Sequence, residues 1–311
     1  MRQSVHFADR LMAAVDQKGA PICVGIDPVL EKLPDELWAG NAGADPDIDA
    51  NQAVEAICRW VTGIYEAVAP YAACVKLQSA CFERYMWPGV EAFHRLIDEA
   101  AEYDLLVIND AKRGDIGVSA AHYAAGCLSN SPLTGLGKIV GPDAITINSY
   151  LGSDSIEPFV EVAGREGKGL FALVRTSNPG SDELQTLPLA DGRAVVDAVA
   201  QMIAKLGAAE EYIGECGYSL LGAVVGATKA EDAARLRDLM PQQIFLVPGF
   251  GAQGGSADDV RACFKQDGTG ALITASRSII YAHQKAPDVD WRTAVGDAAK
   301  LMNEQIREII S

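Results

Sequence analysis

Eight short apolar runs recur along the chain, each followed by turn or polar residues: "PICVGID" (21–27), "ACVKLQ" (73–78), "LLVIND" (105–110), "AITINSY" (144–150), "LFALVRT" (170–176), "GAVVGAT" (222–228), "IFLVPGF" (244–250) and "ALITAS" (271–276). All are rich in Val, Ile and Leu without clean polar alternation, which is the pattern of strands buried on both faces of a parallel sheet. Between them lie helical patterns. Glu91 to Ala101 sets Phe93, Leu96 and Ile97 at helical spacing, and Ala230 to Leu239 does the same with Ala233, Leu236 and Leu239. Alternating strands and helices predict an α/β fold. A doubly wound sheet competes, but the count of eight favours a (β/α)8 TIM barrel.

A helix at about Val5 to Gln17 precedes the first strand. A second, Trp291 to Ile310, closes the chain with Val295, Ala298, Leu301, Met302 and Ile306 read as one stripe. Both are expected to pack on the barrel. Two connections are longer than one helix requires, at about 28–71, with the acidic "NAGADPDID", and at about 177–221. They read as insertions in a single domain spanning 1–311, a length ordinary for one barrel. There is no repeat of fixed period and no low-complexity tract.

A formal net charge of -16 argues against a general nucleic-acid or anionic-membrane surface, since such partners demand a basic face. An anionic ligand must then meet a local positive pocket. The seven cysteines are scattered, odd in number and without CxxC or Cys/His spacing, which suits reduced core thiols in a cytoplasmic protein. The first residues lack the uninterrupted apolar stretch of a signal peptide, because His6, Asp9, Arg10 and Asp16 break it. His6, His94, His122 and His283 stand apart without ligand spacing, so no metal site is expected from them.

In a barrel the loops after the strands converge on one mouth, so the residues at strand ends are the candidates for chemistry. They are Asp27 after the first run, Lys76 near the end of the second, Asp110 and Lys112 after the third, Ser177 after the fifth, Gln253 after the seventh and Arg277 after the eighth. Two lysines and two aspartates within such a mouth would form an alternating charge array that stays ionised when buried. A lysine so held can deliver a proton, while a carboxylate opposes a substrate carboxylate; together these suggest decarboxylation. A solvated loop pairing within itself is the alternative for "DAKRGD" alone. After the seventh and eighth runs, "LVPGFGAQGG" offers backbone N–H groups and Arg277 a forked donor, a pairing that suits a phosphate.

The segments "DAKRGDIG" (110–117), "PGFGAQGG" (248–255) and "ASRSIIYA" (275–282) resemble orotidine 5'-phosphate decarboxylase, and "CVGIDP" (23–28), "KLQSACFE" (76–83) and "RTSNPGS" (175–181) follow in matching order. The likeness covers roughly residues 5 to 282 and is to the longer bacterial branch of that family. It implies that Lys112 protonates C6 of the pyrimidine, that Asp110 opposes the departing carboxylate, and that Lys76 orders the array and binds ribose. It further implies that Asp27 binds a ribose hydroxyl, Ser177 contacts the pyrimidine, and Gln253 with Arg277 holds the phosphate. Asp115, Ile116 and Ser119 would act across the interface of a homodimer with shared sites. Ser119 departs from the family's usual threonine, keeping the hydroxyl and losing a methyl. No cofactor is implied. A Mg-dependent sugar-phosphate decarboxylase or aldolase of the same barrel group, and a non-catalytic nucleotide-phosphate binder, are the competing readings.

Overall fold

A computed structural model describes residues 5–38, 49–130, 133, 135, 139–226, 230–250 and 257–311. Eight parallel strands close into a barrel in chain order: β1 (Ile22–Ile26), β2 (Cys74–Leu77), β3 (Leu106–Arg113), β4 (Ala144–Ile147), β5 (Gly169–Arg175), β6 (Leu221–Val225), β7 (Phe245–Pro248) and β8 (Ala271–Ala275). Closure is made by β1 against β8, with Ile22 opposite Ile273. Every residue of β1, β2, β4, β6 and β8 is buried, since barrel packing covers one face and the surrounding helices the other. That is why their sequences are mostly apolar, Lys76, Thr146 and Thr274 being the polar residues that they bury.

The barrel is plugged from below. The first helix, Phe7–Lys18, starts at His6, whose side chain accepts from the Ala8 N–H, and ends at Gly19 in the left-handed region. Its Phe7 and Leu11 join Cys23, Ile108, Phe171 and Leu272 in one buried apolar cluster. The Phe7 ring meets Phe171 edge-on at 6.0 Å. It also lies over Gly169, where an added Cβ would fall 2.1 Å from Phe7 Cδ1, so only glycine fits. Burying a ring of this size contributes about 2 to 3 kcal/mol. The open end is therefore the C-terminal mouth.

The last helix, Trp291–Ile310, buries Val295, Ala299, Met302 and Ile306. Leu301 does not belong to this stripe: it is 56% exposed, because at about 100° per residue it points well away from the line through those four. The long connection after β1 holds a short turn at Leu30–Lys32 and the helix Ala50–Val68, capped by Asp49, whose side chain accepts from Asn51 and Gln52 N–H. Most of its acidic stretch lies outside the described residues. The connection after β5 holds the short helix Asp182–Gln185 and the helix Val195–Leu206. All seven cysteines are free, but Cys81, Cys127 and Cys216 are only partly buried.

One boundary shift matters for chemistry. The sequence places Asp110 and Lys112 beyond the third strand, whereas β3 runs on to Arg113 and carries both. Its pairing with β4 slips between Asn109 and Arg113, a bulge in which Lys112 takes φ +48°. A second slip interrupts β5 and β6 between Leu173 and Arg175. Bulges bend a strand and re-aim its side chains, and both lie at the mouth.

Candidate active site

Asp110 is the hub of the mouth. Its carboxylate is buried, and each oxygen has two donors: Oδ2 accepts from Lys76 Nζ at 2.6 Å and Gln78 Nε2 at 3.3 Å, Oδ1 from Lys112 Nζ at 2.6 Å and Thr146 Oγ1 at 2.9 Å. Burial alone would raise its pKa, but the Lys76 and Lys112 ammoniums together overcome this and hold the carboxyl down at about 2. Burial likewise works against a charged Lys76, and Asp110 and then Asp27 outweigh it, raising its pKa. Asp110 and Lys76 therefore both stay charged through neutral pH.

This predicts an acid-labile contribution to stability. Asp110 titrates at 3.8 unfolded and about 2 folded, so its stabilisation is complete above about pH 4 and is lost as pH falls through 2. The size is roughly 2 kcal/mol. Denaturant titrations at pH 5 and pH 2 should show the wild type losing about that much more than Asp110→Asn. Equal losses would mean that the carboxyl is not held by its neighbours.

Lys76, Asp110, Lys112 and Ser177 line one cavity of about 580 Å³, floored by the apolar side chains of Leu173, Val224 and Leu246. Ser177 is carried on a loop fixed from behind. Buried Arg175 reaches Ser181 at 3.1 Å, Asp182 at 2.5 Å and Asp232 at 3.2 Å, and Gln185 Oε1 accepts from the Thr176 N–H at 3.0 Å. The sequence reading missed Thr146, Gln78, Arg175 and Gln185. Arg175, a cation ending an apolar run, was the one with a visible signal.

Asp27, directly after β1, does not line the cavity. Its Oδ2 accepts from Ser276 Oγ at 2.7 Å and its carbonyl from the Tyr281 hydroxyl at 2.9 Å, while Oδ1 has no partner among the described residues. Arg277 is the next residue after Ser276, exposed at the start of the short helix Arg277–Ile280. Gln253 and most of its glycine-rich loop lie outside the described residues. Asp115, Ile116 and Ser119 also stand outside the cavity of their own chain. Asp115 Oδ1 accepts from the Ile116 N–H at 2.8 Å, Ile116 is 56% exposed, and Ser119 is exposed on the helix Gly117–Cys127.

Residues 21–290 match the sequence model of the "Orotidine 5'-phosphate decarboxylase / HUMPS family". A relative from Rhodopirellula baltica named orotidine 5'-phosphate decarboxylase is 42% identical over 97% of this chain and 99% of its own length. One of the same name from Caldicellulosiruptor bescii is 37% identical over 99% and 100%. Among solved structures, that of the Leishmania donovani OMP decarboxylase superposes with a TM-score of 0.73 at 29% identity, over 98% of this chain and 99% of that one.

Proposed function

The chain belongs to the orotidine 5'-phosphate decarboxylase family and is a carboxy-lyase, and we propose that it converts orotidine 5'-phosphate to uridine 5'-monophosphate and CO₂ without a metal, Lys112 supplying the proton. The observation that carries this reading is the saturation of Asp110. Both its oxygens already receive an ammonium and a second donor, so no lone pair is left for a divalent cation. The Mg-dependent reading needs such a lone pair. A protein that only held a nucleotide would have no use for a buried carboxylate between two ammoniums.

In this reading the substrate carboxylate is pressed against Asp110, whose negative charge favours its departure. The bond from C6 to the carboxylate breaks, its electron pair stays on C6, and CO₂ leaves. The half-exposed Lys112 ammonium stabilises the developing carbanion and then protonates it, to be recharged from solvent. Lys76 anchors the other side of Asp110 and reaches towards the ribose with Asp27. Ser177 meets the pyrimidine, and Gln253 and Arg277 take the phosphate.

The reading includes a homodimer. The helix Gly117–Cys127 is largely apolar in composition, yet buries only Ala120 and Ala124. Ile116, Val118, Tyr150 and Leu151 are all at least half exposed. Such a patch fits a second copy of the chain, across which Asp115, Ile116 and Ser119 would complete the neighbour's site. We read 1–311 as one barrel unit with two insertions, working in the cytoplasm; the free cysteines support that setting. The direct test is the fall in ultraviolet absorbance as orotidylate becomes uridylate. Turnover should persist undiminished in excess chelator, and strict dependence on added Mg²⁺ would overturn the metal-free mechanism.

A further inference from the structure

Thr146 sits on β4, 1% exposed, opposite the bulge of β3. Its hydroxyl accepts from the Lys112 backbone N–H at 3.0 Å and lies 2.9 Å from Asp110 Oδ1. The N–H can only donate and the ionised carboxylate can only accept, so the single hydroxyl proton must point to Asp110. That same Oδ1 receives the Lys112 ammonium at 2.6 Å. The contacts close a ring: Lys112 N–H to Thr146, Thr146 to Asp110, and Lys112 Nζ back to Asp110. One residue is thus tied at both ends, backbone and ammonium, through one hydroxyl and one carboxylate oxygen.

We propose that Thr146 is a positioning residue that fixes where the Lys112 ammonium stands, by closing this ring at its midpoint. The inference rests on the function proposed above. Lys112 occupies the left-handed region, which a lysine adopts only when its surroundings impose it. The Thr146 hydroxyl is the group that holds its N–H there. With the hydroxyl gone, Lys112 keeps its charge and its ion pair, but the backbone that aims it is free to relax.

The substrate's phosphate and ribose would be gripped by residues on other strands, so binding should be spared while the proton transfer suffers. Thr146→Val keeps the shape and removes the hydroxyl; Thr146→Ser keeps the hydroxyl and removes a methyl. A misplacement of this kind should lower kcat by about a hundredfold in Thr146→Val. KM should stay within about threefold of wild type, and Thr146→Ser should recover kcat to within about fivefold. If Thr146→Val does not fold, judged by its thermal transition, Thr146→Ala takes its place in the same comparison. Near-wild-type kcat without the hydroxyl would overturn the proposal, as would an equal loss in Thr146→Ser or a loss confined to KM. Wild-type protein inactive on orotidylate would instead refute the function itself.

Discussion

Lys112→Ala should give a folded protein whose kcat/KM for orotidine 5'-phosphate is lower by roughly five orders of magnitude, because the proton donor and the cation facing the developing carbanion vanish together. The fold should survive. The Lys112 side chain is 47% exposed, and Asp110 keeps Lys76, Gln78 and Thr146 as donors. Alanine also meets the left-handed backbone at this position no worse than lysine does, since both carry a Cβ. The thermal transition should therefore move by a few degrees at most. Turnover within about tenfold of wild type would remove Lys112 from the proton-delivery step.

The second large effect is a recovery. Asp115→Asn and Lys112→Ala should each be nearly inactive alone, yet a mixture allowed to exchange subunits should regain activity. In a mixed dimer one of the two sites takes Lys112 from one chain and Asp115 from the other, both intact, while the second site carries both defects. Random exchange places one intact site in half of the dimers, so activity should approach about a quarter of wild type. Mass spectrometry would verify the exchange. No recovery in a verified mixture would mean that Asp115 serves its own chain, despite standing outside that chain's cavity.

The barrel was legible because burial on both faces writes itself into a strand as an uncharged, largely apolar run, as in β1 and β8. The pairing of Lys76 with Asp110 left a sign of the opposite kind: each sets a charge in or against an apolar run, where burial tolerates it only when paired. What sequence could not show is how a bulge turns the backbone. Nothing in "LLVINDAKRGD" marks the register slip after Asn109, because a bulge depends on what the neighbouring strand offers. Thr146 was invisible for a related reason. A threonine within "AITINSY" is as good a strand former as a hydrogen-bonding residue, and only its register opposite the bulge makes it the latter. The last helix carries apolar residues on two faces, so its sequence alone does not separate exposed Leu301 from the buried stripe.

The way the barrel is shut also bears on how the chain reaches its native state. Strand β1 pairs with β8, the Tyr281 hydroxyl donates to the carbonyl of Asp27, and the Asn303 side chain donates to the carbonyls of Lys18 and Tyr71. The first strand of the barrel is thus completed by segments far along the chain. During synthesis β1 must wait with one edge unpaired until β8 has left the ribosome. Contacts so distant along the chain also slow the search for the native topology. An unpaired, wholly apolar strand is an aggregation hazard for as long as the wait lasts. The folding intermediates most in need of chaperone protection are therefore those in which β8 has not yet docked, and the hazard ends when β8 pairs with β1.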